Sequence, residues 1–260
     1  MIKKLHPVSW VFIGLVLAFL YIPLITMVVF SFNELASQTV YQGFSFKWYA
    51  DIFTNRNLSN AIFVSLFVSI VSTVVSTILA TLAALALSKQ RKIFREIVLN
   101  VNNIPIISPD VLTAVAFLLF LISISIVPGM ATMIIAHISI SAPYAFVTIY
   151  PKVRALDPNI QEAAYDLGAT PVKALFKVIL PQLSGVILAG AAMAFTISFD
   201  DYIISVLSSG GIQNISVYLY SLTRGIEPSV NALSTIIMLV IGIKVVYDLV
   251  KSKNEKREEE

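Results

Sequence analysis

The chain has 260 residues, of which 57% are hydrophobic and only 13% charged, and its mean hydropathy is +0.86. A soluble domain typically carries about 25% charged residues, so this composition excludes an ordinary soluble domain and indicates an integral membrane protein. The net charge is +3. Cysteine is absent, which excludes a disulfide framework, and with only two histidines the chain has few metal ligands. We expect no cofactor and no metal.

Apolar segments near the ~20-residue length that a bilayer requires occur six times along the chain. The first has Lys3 and Lys4 before it, but its apolar core is too long for a signal peptide. The sequence therefore predicts an all-α integral membrane protein with six transmembrane helices. The predicted spans are Val8–Phe30, Ile62–Leu87, Ile97–Ile126, Met130–Tyr150, Ser184–Leu207 and Ala232–Val250.

Lysine and arginine are distributed unevenly between the two sets of helix ends. One set carries fourteen of them and the other, with Arg224 among them, carries three. Because positive residues favour the cytoplasmic side, we expect both termini in the cytoplasm. On the outer side, Trp48 and Tyr49 in residues 43–53 predict a helix in the membrane interface. Lys244 and Asp248, four residues apart in the last span, predict an ion pair.

Small residues recur at helical spacing in the second span, and we interpret them as a packing surface rather than the lining of a path. The third segment contains Pro105 and Pro109, which predict a kinked helix or a short helix followed by the span. Ser108 is expected to cap its second part, with Pro109 at the first helical position. The small residues of the second span are Ser65, Ser69, Ser72, Ser76 and Ala80.

The segment 157–181 is too polar and too interrupted to span. Asp157 is expected to cap a helix that begins at Pro158 and ends at Gly168 in a left-handed conformation. Thr170 is expected to cap a second helix, which Pro181 stops. The residues alone predict a helix–turn–helix, with an amphipathic loop lying on the membrane as the alternative. The second helix carries one apolar stripe, formed by Val172, Leu175, Phe176 and Ile179.

Two adjacent carboxylates, Asp200 and Asp201, lie within the fifth span, although a central Asp costs about 2.5–3.5 kcal/mol on insertion scales. Asp200 is about 24 Å beyond Ser184 along a helix, which places the pair toward the outer side. Adjacent residues on a helix point about 100° apart. We expect Asp201 to face a wetter path and Asp200 a neighbouring helix. The small polar stripe that Asp201 continues is formed by Ala194, Ser198 and Ser205.

Asp110 is at most about 20 Å beyond Ile97, so it and the aspartate pair are expected to line one path open to the outside. Tyr202 is a candidate for stacking on a cation, with an interfacial anchor as the alternative. The alternative for Asp110 is a structural role, in which its charge stabilises the start of a helix. The alternative for Asp200 and Asp201 is that they form structural hydrogen bonds at the outer end of a helix. On these grounds Asp201→Asn is predicted to impair transport more than Asp200→Asn.

The pattern Glu162-Ala163-Ala164-x3-Gly168-x9-Val178-x-Leu180-Pro181 resembles the EAA loop of bacterial ABC importer permeases, with Val178 where the family has Ile. The resemblance implies a type I importer permease whose loop binds a cytoplasmic ATPase. It implies coupling roles for the pattern residues apart from Val178. Further stretches resemble the spermidine/putrescine permease branch of that family. They are "YQGFSFKWYADIF", "ISPDVLTAVAFLLF", "ISFDDYIISVLSSG" and "EPSVNALSTI".

This resemblance implies three regions: residues 1–57, with the first span and the outer segment; a permease core at 58–250, with the EAA loop at 152–183; and a charged tail at 251–260. The partners that it implies are a second homologous permease, two copies of an ABC ATPase and an extracytoplasmic polyamine-binding protein. It also implies that the chain lies in a bacterial inner membrane, surrounded by lipid, and we expect no nucleic acid among its partners. No G-x-x-x-x-G-K-[ST] occurs, so ATP hydrolysis is expected in the partner.

Other functions remain as alternatives. The cargo of such a permease can be another small cation or polar solute, and a passive channel is a further possibility. Asp110 and Asp200 suggest an intramembrane aspartyl protease, but no Gly-x-Gly-Asp lies beside either. His137 with the serine-rich spans suggests a serine protease, but no Gly-x-Ser-x-Gly occurs. Both protease hypotheses leave the loop unexplained.

Overall fold

The computed structural model describes residues 7–222 and 228–258, and the side chains of 8–222, 228–247 and 250. Within them the chain is helical apart from loops and an isolated bridge between Asn33 and Phe44. The helices are α1 (Pro7–Ser31), α2 (Lys47–Thr54), α3 (Arg56–Ser88), α4 (Lys92–Ile107), α5 (Asp110–Ser123), α6 (Met130–Arg154), α7 (Pro158–Asp166), α8 (Pro171–Ala174), a π-helical turn (Leu175–Ile179), α9 (Leu180–Asp200), α10 (Ile203–Ser208), α11 (Ile215–Ser221) and α12 (Pro228–Glu258).

Five helical stretches are long and apolar enough to cross a membrane, and the pair α4 and α5, bent by 104°, makes a sixth if it counts as one span. The all-α membrane architecture predicted from the sequence is therefore confirmed. The side of the membrane on which the termini lie stays a prediction. The predicted ion pair between Lys244 and Asp248 lies outside the described side chains, and Arg224 lies outside the described residues.

One compact unit consists of residues up to 59 together with those from 219 onward. In it α1 and α2 both contact α12. The link between α1 and α2 is organised by Asn33, whose amide donates to the carbonyl of Val40 (2.8 Å) and whose side-chain oxygen accepts from the amide of Gln42 (2.7 Å). The indole of Trp48 donates to the Asn33 carbonyl (2.6 Å), which fixes α2, the helix predicted there.

The other unit, residues 60–218, is built on the contact between α6 and α9. Gly190 allows their close approach, because a Cβ at this position would lie 2.7 Å from the Ile149 side chain and 3.2 Å from the Ala145 carbonyl. The serine surface of α3 is buried, as its packing interpretation requires. Ser72 and Ser76 donate to carbonyls of α6, at 3.4 and 3.3 Å, which are the contacts expected of small polar residues between membrane helices.

The third span is broken rather than gently kinked. Ser108 ends α4, its amide donating to the Ile104 carbonyl (2.9 Å), and Pro109 precedes the first helical residue, Asp110. The expected cap is therefore one residue too early. The reason is that Pro109 is itself extended, with ψ 134°, so it occupies the position before the helix and Ser108 lies one residue further back. Pro105 is accommodated inside α4.

The prediction that Pro181 stops the preceding helix is wrong. Helix α8 passes through the π-helical turn directly into α9, with Pro181 in the first turn of α9. The amide of Leu180 donates to the carbonyl of Leu175, five residues back. The extra residue in this turn accommodates a proline that would otherwise clash with the preceding turn. The second helix of the loop and the fifth span thus form one continuous element.

Candidate functional site

The helix–turn–helix predicted at 157–181 is confirmed. The Asp157 carboxylate accepts from the amide of Asn159 (2.9 Å), and the helix begins at Pro158. At its other end Gly168 has φ +79°, a left-handed conformation that favours glycine. The Gly168 amide donates to the Tyr165 carbonyl (2.8 Å), which closes the turn. Thr170 then accepts from an amide of α8, as predicted.

The loop exposes an apolar patch that faces away from the rest of its own unit. Leu167 is 89% exposed, and Val172 and Phe176 are 65% and 63% exposed, whereas Ala164 and Ala174 are buried. The predicted apolar stripe is therefore divided, because Val172 and Phe176 belong to this patch while Leu175 and Ile179 turn inward. We call Leu167, Val172 and Phe176 the loop patch. Exposed apolar surface of this kind is typical of a site where another protein binds.

The coupling residues implied by the family resemblance lie along this loop. Glu162 and Ala163 are exposed on α7, and Ala164 is its buried residue. Leu180 and Pro181 begin α9. The ammonium group of Lys89, beyond the end of α3, donates to the side chain of Gln161 on α7 (3.0 Å), which links the loop to a span. A cavity of about 810 Å³ lies between the loop and the ends of α3 and α6.

The fifth span is broken at the two aspartates, so the continuous helix expected to Leu207 is wrong. Helix α9 ends at Asp200, Asp201 is extended with ψ 132°, and α10 begins at Ile203. The Asp201 carboxylate accepts from the amides of Ile204 (3.4 Å) and Ser205 (2.8 Å). An aspartate side chain that binds the first free amides of a following helix acts as its cap, and this interaction competes with helix continuation.

A buried polar cluster surrounds the break. His137 of α6 is fully buried, with Nδ1 2.8 Å from the Ser198 hydroxyl and Nε2 2.9 Å from the Ser205 hydroxyl. Ser205 also lies 2.9 Å from the Asp201 carboxylate and accepts from the Asn214 amide (2.7 Å). The Asn214 side chain donates to the Asp201 carbonyl as well (3.2 Å). We call these five residues the break cluster.

The three aspartates lie in different environments. The Asp201 side chain is only 8% exposed, so the expectation that it faces a wetter path is wrong. The stripe expected to continue it, with Ala194 and Ser198, is buried, because it faces α6. Asp200, expected to face a neighbouring helix, is exposed on this chain, as is Asp110 in the first turn of α5. Tyr202 is half-buried at the break.

Helices α5 and α10 contact each other, and this contact brings together the helices next to the two exposed carboxylates, Asp110 and Asp200. Ala114 of α5 and Ile204 of α10 belong to one apolar cluster, against which Ile197 of α9 packs. Asp110 precedes Ala114 by one helical turn, and Asp200 follows Ile197 by about one turn. Both exposed carboxylates therefore lie about one helical turn from a residue of the same apolar cluster.

Sequence reasoning missed the roles of His137 and Asn214. A lone histidine in a predicted span is a signal for function or for a polar partner, but the sequence does not identify that partner. Asn214 accepts from the amide of Val217 (2.9 Å) and thus caps α11, a short helix that no predicted element contained. An Asn before an apolar run is the signal that could have found it.

Comparison with known families identifies the class of protein. A family model described as "Binding-protein-dependent transport system inner membrane component" matches residues 76–257, which is more than two thirds of the chain. The chain belongs to this family, the inner-membrane permeases of ABC importers. A permease of this class works with a partner permease, a substrate-binding protein and an ATPase, which hydrolyses the ATP.

Individual relatives identify a branch of this family to which the chain is similar. The "spermidine/putrescine transport system permease protein PotC" of Haemophilus influenzae is 35% identical over 246 residues, which cover 94% of this chain and 96% of that protein. The "putrescine transport system permease protein PotI" of Escherichia coli K12 is 33% identical over 238 residues, covering 86% and 83%. This chain is homologous to polyamine permeases over most of its length, as the sequence resemblance predicts.

Solved structures support the fold. A chain of a bacterial ABC transporter that imports the acidic polysaccharide alginate matches with a TM-score of 0.70 at 16% identity, over 94% of both chains. A chain of an amino acid ABC transporter matches with a TM-score of 0.54 at 18% identity, over 78% of this chain and 96% of that one. At such identities the likeness concerns the fold alone, and it confirms the predicted type I importer permease fold.

Proposed function

We propose that this chain is a permease subunit of an ATP-driven importer that carries polyamines, spermidine or putrescine, across the bacterial inner membrane. The observation that carries the proposal is the pair of exposed carboxylates, Asp110 and Asp200, beside one apolar cluster. A polyamine presents ammonium groups separated by methylene runs, so it needs anions for the charges and apolar walls for the stems. The printed functions of the homologous permeases support the same cargo.

In this proposal Asp110 and Asp200 contact ammonium groups, and Tyr202, two residues after Asp200 at the break, is a further candidate contact. Asp201, which the sequence alone ranked first, has a different role: its carboxylate is occupied by the amides and the hydroxyl of α10. A carboxylate that already accepts these bonds has less capacity left for a passing cation. Asp201 belongs to the path only indirectly, by holding the break next to Asp200.

The loop patch is proposed as the surface that binds the ATPase. Its exposed Leu167, Val172 and Phe176 lie on both sides of the turn at Gly168, and α8 continues into the fifth span through the π-helical turn. A movement of the ATPase would therefore be transmitted along one helical element from the loop to Asp200. The distribution of Lys and Arg supports a cytoplasmic loop and cytoplasmic termini.

The assembled importer is proposed to contain a second homologous permease, two copies of the ATPase and an extracytoplasmic polyamine-binding protein. An importer of another small cation or polar solute is the second candidate. The exposed carboxylates disfavour anions, and they do not by themselves distinguish a diamine from a triamine. Two charged ends separated by an apolar stem nevertheless fit the two-carboxylate arrangement better than a compact monovalent cation does.

Uptake by the reconstituted transporter tests the cargo. The complete complex in proteoliposomes, with its binding protein and ATP, is expected to accumulate labelled spermidine or putrescine. An excess of the other, unlabelled polyamine should inhibit this uptake. A neutral amino acid or a monovalent amine at the same excess should not inhibit it. ATP omitted from the ATPase side is the control. Accumulation of a non-polyamine solute that polyamines do not inhibit would contradict the proposed cargo.

A further inference from the structure

The break cluster contains a histidine that the proposed path does not use. His137 belongs to a span, is fully buried, and contacts residues on both sides of the break in the fifth span. Ser198 lies in the last turns of α9 and Ser205 lies in α10, and both hydroxyls are within 3 Å of the imidazole. A single side chain of α6 thus connects the two helical pieces that the break separates.

The hydrogen bonds at Ser205 determine how the imidazole takes part. The Asn214 amide group can only donate to Ser205, and the Asp201 carboxylate can only accept from it. The hydroxyl proton of Ser205 goes to Asp201, and the tautomer of His137 that fits these bonds donates from Nε2 to the Ser205 oxygen. Nδ1 then accepts from Ser198, so the neutral imidazole leaves no atom of this cluster without a partner.

We infer that His137 is a positioning residue, which holds the fifth span broken at residues 201–202 and thereby keeps the Asp200 carboxylate exposed at the end of α9. The imidazole accepts from α9 and donates to α10, and through Ser205 it also keeps the Asp201 cap in place. Without this bridge, α9 is free to continue through Asp201, which would add further helical turns beyond Asp200, where the chain now breaks, and remove the cap. The consequence for transport rests on the proposed function, but the effect on the break does not.

The absence of cysteine allows a direct test of the break. In the complete transporter, Asp200→Cys provides the one thiol of this chain, and the rate at which this subunit reacts with a membrane-impermeant maleimide reports the exposure of the position. Combined with His137→Phe, which fills the space without hydrogen bonds, the rate is expected to fall about threefold or more. His137→Gln keeps one donor and one acceptor and should restore most of the rate. Ser139→Ala, which removes only a local bond on α6, is the matched control.

A second variant keeps the test decisive if His137→Phe does not assemble. Ser198→Ala removes only the α9 end of the bridge and should slow labelling by an intermediate factor. Labelling rates that are equal in the parent, His137→Phe and Ser198→Ala proteins would overturn the inference. These rates need no cargo, so a transporter that fails to import polyamines contradicts the proposed function without affecting this result.

Uptake kinetics then separate positioning from general damage. In the transporter that retains Asp200, His137→Phe is expected to raise the KM for polyamine uptake about fivefold to tenfold, with a smaller change in maximal rate. His137→Gln should recover the KM to within about threefold, because a hydrogen-bonding amide restores part of the bridge. Loss of maximal rate with an unchanged KM in both variants would show a merely structural role and would overturn the inference.

Discussion

At the scale of single residues, burial separates the two adjacent aspartates more clearly than their helical angle. Asp201 is 8% exposed in its side chain and its oxygens accept from Ile204 and Ser205, whereas Asp200 is exposed. The buried charge is tolerated because amides and a hydroxyl replace the water that it loses. We therefore propose the opposite order of sensitivity to the one predicted from the sequence.

We predict that Asp201→Asn retains most of the uptake and that Asp200→Asn does not, because Asn is also a good helix cap but carries no charge for an ammonium group. Asp201→Ala should lower the free energy of unfolding by about 0.5–2 kcal/mol, the usual cost of a lost cap. Thermal unfolding of the purified complex and uptake at matched expression check both parts. Uptake lost in Asp201→Asn and retained in Asp200→Asn would support the sequence-based order instead.

The sequence was sufficient for interactions between near neighbours. Asp157, Thr170 and Gly168 have the predicted roles because a cap or a left-handed turn depends on residues two or three positions away. The environment of Asp201 could not be predicted, because its partners include Asn214, thirteen residues further along the chain, and lie close to His137 of another helix. Helical periodicity assumes a continuous helix, and it fails where a side chain ends one.

At the scale of elements, the fifth span is one continuous helical element from the loop to the break at Asp201. The π-helical turn at Leu175–Ile179 carries the helix through Pro181, and Gly190 brings the same helix against α6. The turn at Gly168 joins this element to α7. Composition predicted that these helices exist, while the bulge at Pro181, the end of α9 at Asp200 and the close contact at Gly190 depend on packing that no local pattern encodes.

The turn at Gly168 provides a test of coupling. Gly168→Ala places a Cβ in a left-handed backbone, which costs about 1–2 kcal/mol, although nothing lies within 4 Å of that Cβ. We predict that stimulation of ATPase activity by the loaded binding protein falls in Gly168→Ala and falls less in Gly168→Asn, since Asn adopts this conformation more readily. Equal and complete stimulation in Gly168→Ala and the native protein would count against a role of this turn in coupling.

The contact between α6 and α9 provides a test of packing. Gly190→Val is expected to destabilise the complex by about 1–3 kcal/mol, because the added atoms meet Ile149 and the Ala145 carbonyl. Gly185→Val, in the same helix with nothing within 4 Å of its Cβ, is the matched control. Thermal unfolding in one detergent compares them. Similar melting temperatures for the two variants would show that the helices are not closely packed at Gly190.

At the scale of the whole molecule, we propose that the fifth span joins a loop that binds the ATPase to two exposed carboxylates that bind a cation. Family membership and the all-α architecture followed from the sequence, since six apolar segments and the EAA pattern are properties of local composition. Which of the acidic residues is exposed did not follow, because exposure depends on the break in the fifth span and on the neighbouring helices.

We propose that Asp110 and Asp200 contact the cargo, and steady-state uptake of labelled spermidine by the reconstituted transporter measures this contact as a change in KM. Asp110→Asn and Asp200→Asn are each expected to raise KM by about tenfold, since each removes one charge-assisted hydrogen bond. Glu96→Gln, which removes an exposed carboxylate on α4, is the control and should leave KM unchanged. A KM for spermidine that is the same in the native protein and in both aspartate variants would contradict the account.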